Sequence, residues 1–302
     1  MLENLQKVLY NIRIEHFGSK KMSEQFQYNR EGYLNENFRY FHLKDTAGQE
    51  HDFHFHEFDK IVILISGSVD YLVEGASYKM QPGDIILVRH HMIHKAMIDV
   101  SVPYERIIVY LDSSYVDRFA PDMGLMECFA LAERSRFCLI RPTQEEWELV
   151  KNKLMSLEES TKDEGFASDY MRGTNLAQLM VYLNRIKQRD TSYKPESVEY
   201  NDKIADVLSY INENISKELT VDELASRTYL SRYHFMRLFK NQTGYTVHNY
   251  IRQKRLTLAA RLIREGMSAS RASAECGFSD YSAFHRAFTS TFGVSPGKIK
   301  KQ

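Results

Sequence analysis

The C-terminal third of the chain contains one helical pattern twice, at a constant offset of 49 positions: Ala225 and Ala274, Phe235 and Phe284, Arg237 and Arg286, Phe239 and Phe288, Gly244 and Gly293. Each copy reads as a short helix with a small Ala on its inner face, a turn, a polar cap (Ser231 or Asp280) opening a second helix, and a Gly closing it. The paired Phe residues stand at i and i+4 and so share one buried stripe. This is a helix-turn-helix stated twice, the motif that seats a recognition helix in the major groove of double-stranded DNA. With Phe235, Leu238 and Phe239 turned to the core, the outward positions of the first reader are Arg232, Tyr233, Met236, Arg237 and Lys240. By the repeat, those of the second are Tyr281, Ser282, His285, Arg286 and Thr289. Arg bonds guanine bidentately, Ser and His donate or accept at several bases, and Met or Tyr packs on a thymine methyl. Each Arg could equally contact a phosphate or pair within the protein.

Charge supports the division. The 40 Lys and Arg balance the 40 Asp and Glu over 302 residues, but residues 201–302 hold 16 basic against 9 acidic side chains, a net of +7, and residues 1–200 carry the compensating −7. A basic domain is what phosphate neutralisation requires, and an acidic one is unsuited to touching nucleic acid. Thr246 to Arg264 reads as a single helix between the two readers. At about 1.5 Å per residue it spans about 28 Å, close to the ~34 Å between successive major grooves on one face of DNA.

The N-terminal part has a different period. Lys60–Ile65, Ser68–Val73, Asp84–Val88 and Tyr104–Tyr110 are rich in Val, Ile and Tyr and are separated by turn signals at Ser66-Gly67, Glu74-Gly75 and Gln81-Pro82-Gly83-Asp84. Many short strands at even spacing indicate a barrel or sandwich. Thr143-Gln-Glu-Glu146 is a capping box opening a helix, and a second helix runs from Ser168 to about Gln188, with Leu176, Leu179, Met180, Leu183 and Ile186 on one face. That stripe is expected either to pair two copies as a homodimer or to pack on the barrel. The expected organisation is a barrel over residues 1–142, a helical hairpin over 143–190, a linker over 191–200 and the DNA-binding domain over 201–302. Cys128, Cys138 and Cys276 have no paired spacing, and no apolar run has signal-peptide or membrane-spanning character, so a cytoplasmic protein with reduced thiols and no membrane association is expected.

Gly48, His54-Phe-His56, Lys60 and Gly67, followed by Gly75, Pro82-Gly83-Asp84 and His94, resemble the two cupin motifs. Alternate residues of a strand share a face, so His54 and His56 point the same way, and in metal-binding cupins two such histidines, a Glu and a later His converge on one ion. Here Lys60 stands at the Glu position, and a cation replacing an anionic ligand argues against a metal. His54, His56, Lys60, Arg89 and His94 therefore read as a polar pocket for an organic effector, a sugar or another hydroxyl-rich metabolite. The alternatives are a three-histidine metal site and histidines that only satisfy one another.

The ensemble resembles the AraC/XylS family of transcription regulators. The specific signal is Leu224-Ala225, Ser231 through Lys240, Gly244, Ala274 through Asp280, Phe284, Arg286, Phe288, Gly293 and Ser295-Pro296. Thr289 and Ile299-Lys300 depart from the family's usual Lys and Tyr-Arg. The resemblance implies an α+β multidomain protein, with an N-terminal cupin-like β-barrel carrying a helical hairpin and a C-terminal all-α tandem helix-turn-helix domain. It also implies a sequence-specific regulator controlled by a small-molecule effector, with no enzymatic activity and no cofactor. Tyr233, Met236, Arg237, Ser282 and Arg286 would be its base-side residues, operator DNA its partner, and RNA polymerase a second partner if it activates. The alternative is a metal-dependent cupin enzyme or metal sensor fused to a DNA-binding tail.

Overall fold

The computed structural model describes Leu34 and residues 36–45, 53–56, 58–90, 92–189, 198–200 and 202–299; Gly48 of the cupin-like motif and residues 191–197 of the expected linker lie outside them. The N-terminal strands form two antiparallel sheets. The first has the order β1 (Phe38–Asp45), β7 (Tyr104–Leu111), β2 (Asp59–Ser66), β5 (Ile85–Val88) and β8 (Leu139–Ile140). The second has the order β6 (His94–Ile98), β3 (Val69–Val73), β4 (Ala76–Met80) and β9 (Val198–Tyr200). The sheets face one another without closing into a single hydrogen-bonded barrel. β9 falls within the expected linker, so the chain leaves the N-terminal domain by first adding a strand to its edge.

Burial explains which strands alternate. β2 is an unbroken apolar run because both faces are covered: Val62 and Leu64 face the sandwich interior, while Ile61 and Ile63 face helices on the outside. β3 and β4 are covered on one face only, and Val69, Tyr71, Val73, Ala76, Tyr78 and Met80 alternate inward between more exposed neighbours. Their hairpin turns through Glu74 and Gly75, both at positive φ (46° and 85°), as a two-residue primed turn demands. Arg141 holds the next turn by bonding both carboxylate oxygens of buried Asp84 at 2.8 and 2.6 Å.

Two short helices that strand periodicity does not announce, α1 (Ser113–Phe119) and α2 (Glu127–Ser135), follow β7. Then come α3 (Gln144–Thr161), which starts on the expected capping box, and α4 (Ser168–Arg189). Leu176, Leu179, Met180, Leu183 and Ile186 are all buried, packed with α3 residues Val150, Leu154 and Leu157 against the first sheet. The stripe expected to pair two copies is thus internal core. Polar groups on the same helix confirm its direction: Asn184 donates to Leu125 O at 2.7 Å, and buried Lys187 donates to Phe137 O at 2.6 Å. An apolar helical face finds the nearest large apolar surface, and here that surface is its own sheet.

The C-terminal domain is helical: α5 (Asp202–Glu213), α6 (Val221–Thr228), α7 (Arg232–Thr243), α8 (Val247–Arg264), α9 (Ala269–Glu275), α10 (Tyr281–Phe292) and a closing 3₁₀ turn at Pro296–Lys298. Its two halves have separate cores, one around Phe235, Phe239 and Tyr250, the other around Phe284, Phe288 and Leu256. Ile299 packs against the second, which gives that core an apolar anchor at the chain's departure from the family pattern. No helix among the described residues is long and apolar enough to cross a membrane.

Because the α4 stripe is core, Leu183→Ala should lower global stability by about 2–5 kcal/mol in urea unfolding while leaving the sedimentation coefficient of the folded protein unchanged. A variant that instead changes its association state at unaltered stability would return the stripe to an interface.

Candidate functional site

Each reader helix is built alike. α7 opens on Ser231, whose hydroxyl accepts from His234 N–H, and ends on Gly244 at φ 76°; α10 opens on Asp280, whose carboxylate accepts from Ser282 N–H, and ends on Gly293 at φ 72°. Phe235 and Phe239 are fully buried with ring centroids 5.8 Å apart, and Phe284 and Phe288 repeat this at 5.4 Å. With that stripe inward, Arg232, Tyr233, Met236, Arg237 and Lys240 are exposed on one reader, and Tyr281, Ser282, His285 and Arg286 on the other. Thr289 differs: it is half-buried and its hydroxyl is enclosed. Arg232 is already engaged within the motif, its Nη1 lying 2.8 Å from Asp222. Tyr233, 68 % exposed, is a large ring that folding alone does not cover.

Connector α8 has 18 residues, or about 27 Å, from its Thr246 cap to Arg264. Two side chains of this helix went unnoticed in the sequence because they lie on neither reader. Arg252 shares with Arg286, Ala283, Ala287 and Ser290 a small hollow beside α10, so a second guanidinium stands next to the second reader. Arg255 donates to three backbone carbonyls, Ile215 and Gly277 at 2.9 Å and Lys217 at 2.5 Å, tying both halves of the domain to the connector. The doubled spacing of the repeat would have directed attention to the intervening helix as the place where such cations must sit.

The histidines do converge. His54 and His94 exchange backbone hydrogen bonds at 3.1 and 2.9 Å, which sets their rings 4.4 Å apart, and His56 packs 5.0 and 4.9 Å from them. All three are buried, and their candidate ligand nitrogens lie within 4.8 Å of one another. His94 Nδ1 lies 2.9 Å from Met92 O, so a proton on Nδ1 leaves the Nε2 lone pair facing Lys60 Nζ at 3.5 Å. Burial, then the Lys60 charge and the two neighbouring imidazoles, hold His94 well below its ordinary 6.5, so it is a neutral acceptor at pH 7. Three imidazoles this close can bind a metal ion, but Lys60 stands at the His94 nitrogen that an ion would need, and its ammonium would have to leave first. Arg89 does not join this cluster; it pairs with Glu133 at the edge of a separate cavity.

The reverse side of the histidine strands belongs to the other domain. Phe55, between His54 and His56, and Ile93, next to His94, are buried in the core of the first helix-turn-helix with Ile204, Leu208, Phe235 and Tyr250. The Phe53 ring lies over Gly244, whose missing side chain makes room for it, and Tyr245 Oη donates to Phe53 O at 3.2 Å. Glu74 completes the junction: its carboxylate accepts from Ile93 N–H at 2.8 Å, from Lys254 Nζ at 2.9 Å and from the Tyr250 hydroxyl. Burial and Glu74 push the Tyr250 phenol well above its ordinary value, so it stays a donor. Beside this junction lies a cavity of about 570 Å³ lined by both domains.

Paired readers on a spaced connector, fused to a sheet domain of ligand-binding type, define a DNA-binding transcription regulator. Residues 39–143 match the family described as "AraC-like ligand binding domain" and residues 224–302 the one described as "Helix-turn-helix domain". The chain belongs to the AraC family of transcription regulators. It is 25% identical over 259 residues to the probable transcriptional regulator LumQ of Photobacterium leiognathi, covering 85% of this chain and 94% of that protein. It is 22% identical over 252 residues to the HTH-type transcriptional activator RhaR of Mannheimia succiniciproducens, covering 82% and 87%. Among solved structures, apo ToxT from Vibrio cholerae aligns over 87% of this chain and 97% of its own, at 14% identity and TM-score 0.40. LumQ and RhaR bear the names of transcription regulators and not of enzymes.

The depressed His94 pKa has a signed consequence. Between the unfolded value near 6.5 and the lower folded value, the unfolded chain binds the extra proton, so stability falls as pH drops below about 6.5. His94→Gln should flatten the acid limb of the stability profile in chemical denaturation between pH 7 and pH 5. An unchanged slope would assign that limb to other groups.

Proposed function

We propose that the protein binds a specific duplex DNA operator with α7 and α10 in successive major grooves, and that a small-molecule effector held by the N-terminal domain sets operator occupancy. The observation that carries this reading is the doubled reader face: exposed Arg232, Tyr233, Met236 and Arg237, repeated 49 positions later as Tyr281, Ser282, His285 and Arg286, each over a buried Phe pair. In solvent such exposed rings and guanidiniums stabilise nothing, whereas base edges and phosphates satisfy them. Arg232, paired with Asp222, is better suited to a backbone contact than to base reading. The connector's length accounts for reading two groove segments, with modest DNA bending making up the remaining distance. That named relatives are transcriptional activators supports RNA polymerase as a further partner.

Effector control is supported by the shared core. Phe55 and Ile93 transmit any movement of the histidine strands to the first reader's supports. A hydroxyl-rich ligand seated among His54, His56, Lys60 and His94 would have to part rings that now pack 4.4 to 5.0 Å from one another, so the larger cavity beside them is the more economical place for it.

Selection of bound duplexes from a random pool should recover a bipartite site, with affinity falling steeply as salt rises. Arg237→Ala and Arg286→Ala should each cost ~1–3 kcal/mol on the selected duplex and relax preference at one position, read by titration against single-base variants. Equal weakening on every sequence would reassign both side chains to phosphate contacts.

A further inference from the structure

We propose that the hollow between α8 and α10 seats one phosphate of the operator backbone, held by Arg252, Arg286 and Ser290. The inference rests on the regulator reading above and deepens it by naming a contact that lies outside both reader faces. The hollow measures about 280 Å³ and is lined by Arg252 of the connector and by Ala283, Arg286, Ala287 and Ser290 of the second reader. Those four α10 positions recur at i, i+3, i+4 and i+7, so they form one face of the helix. Arg252 is exposed between buried Ile251 and Gln253, so its side chain leaves the core for the space beside α10. The two alanines keep that wall low. At the repeat offset of 49 positions, the first reader carries His234, Leu238 and Asn241 where the second has Ala283, Ala287 and Ser290, so the repeat itself does not dictate the hollow.

Every polar side chain lining the hollow can donate a hydrogen bond: two guanidiniums and a hydroxyl, with no carboxylate beside them. Elsewhere in the domain guanidiniums are held by the protein itself, Arg232 by Asp222, Arg271 by Glu275 and Arg255 by backbone carbonyls. Arg286 has neither a hydrogen bond nor an ion pair among the described residues. A phosphate diester offers charged oxygens that planar guanidinium forks bracket, and the Ser290 hydroxyl adds a further donor. With α10 in the major groove, the anion nearest its flank is the strand backbone that borders the groove. Arg286 stands on the edge shared by the hollow and the reading face, so one side of its fork serves the phosphate while the other meets a base. Arg252 belongs to α8. The same phosphate therefore ties the connector to the strand and fixes the tilt at which the second reader enters its groove.

The test uses the full chain and the duplex recovered by selection. Arg252→Gln should weaken binding to that duplex and to its single-base variants alike, by about tenfold, and should lower the slope of log affinity against log salt concentration by ~0.9. Arg252→Lys should restore the slope. Ser290→Ala should cost about threefold at an unchanged slope, because it removes a hydroxyl and no charge. In a scan of single uncharged methylphosphonate linkages, one linkage beside the second contacted segment should weaken the parent about tenfold but Arg252→Gln by less than about twofold. Arg252→Gln should melt with the parent, and neither inorganic phosphate nor AMP at millimolar concentration should stabilise the parent more than the variant. The proposal is overturned if Arg252→Gln keeps the parent's affinity and slope, if it alters preference among bases, if it melts well below the parent, or if no linkage separates the two proteins. Stabilisation of the parent alone by inorganic phosphate or AMP would also overturn it, since the hollow would then be a site for a free anion. Those outcomes leave the regulator reading standing, whereas a parent that binds no duplex removes that reading and the phosphate seat with it.

Discussion

The burial of Phe55 and Ile93 in the core of the first helix-turn-helix is the contact on which the rest of the molecule depends. Phe55 lies between His54 and His56, and Ile93 directly precedes His94, on the two extended segments joined by the His54–His94 bridge. A strand places successive side chains on opposite faces, so the histidine cluster and the anchor to the DNA-binding domain are two sides of one backbone. Neither side can shift alone. The two domains are accordingly better regarded as sharing a core than as touching, and any change in the rings on one face is felt by Phe235 and Tyr250 beyond the other.

Magnitudes divide the work at this junction. Burying a Phe such as Phe55 contributes about 1.5–3 kcal/mol, and Ile93 a similar amount, without directional demand. The Glu74 carboxylate with Lys254, Tyr250 and Ile93 N–H is largely enclosed, with side chains 14% and 15% exposed for the ion pair, and its desolvation offsets much of its attraction. Its role is registration: three donors from two domains meet one carboxylate, and only one arrangement satisfies them all. The apolar contact holds the domains together and the polar one sets where they meet.

Much of this was legible in the chain, and the failures have physical causes. The reader helices, their caps and their Phe stripes follow from local spacing, and α8 and the α3 capping box appear at the expected residues. Periodicity reports that a face is apolar but not what covers it, so the α4 stripe could be read as an interface when its own sheet was waiting for it. The same ambiguity hid Phe55, which reads as a spacer between two histidines. Glu74 is recognisable as a turn residue, yet nothing local reveals that Tyr250 and Lys254, about 180 positions later, will close on it. Arg89 follows directly on β5, and its guanidinium pairs with Glu133 instead of joining the histidines. Long-range partners are set by tertiary packing, which spacing does not encode.

Arg255 gives the DNA-binding domain a property that neither reader has alone. By capping carbonyls at Ile215, Lys217 and Gly277 from the middle of the connector, it removes the freedom of one half to swivel about the other. Duplex DNA turns by about 35° per base pair, so two heads of fixed azimuth accept one separation and strain against its neighbours. In the two-groove binding proposed above, the number of base pairs between the contacted segments becomes part of what is recognised, although no side chain touches them, and one guanidinium bound to three carbonyls acts as the ruler.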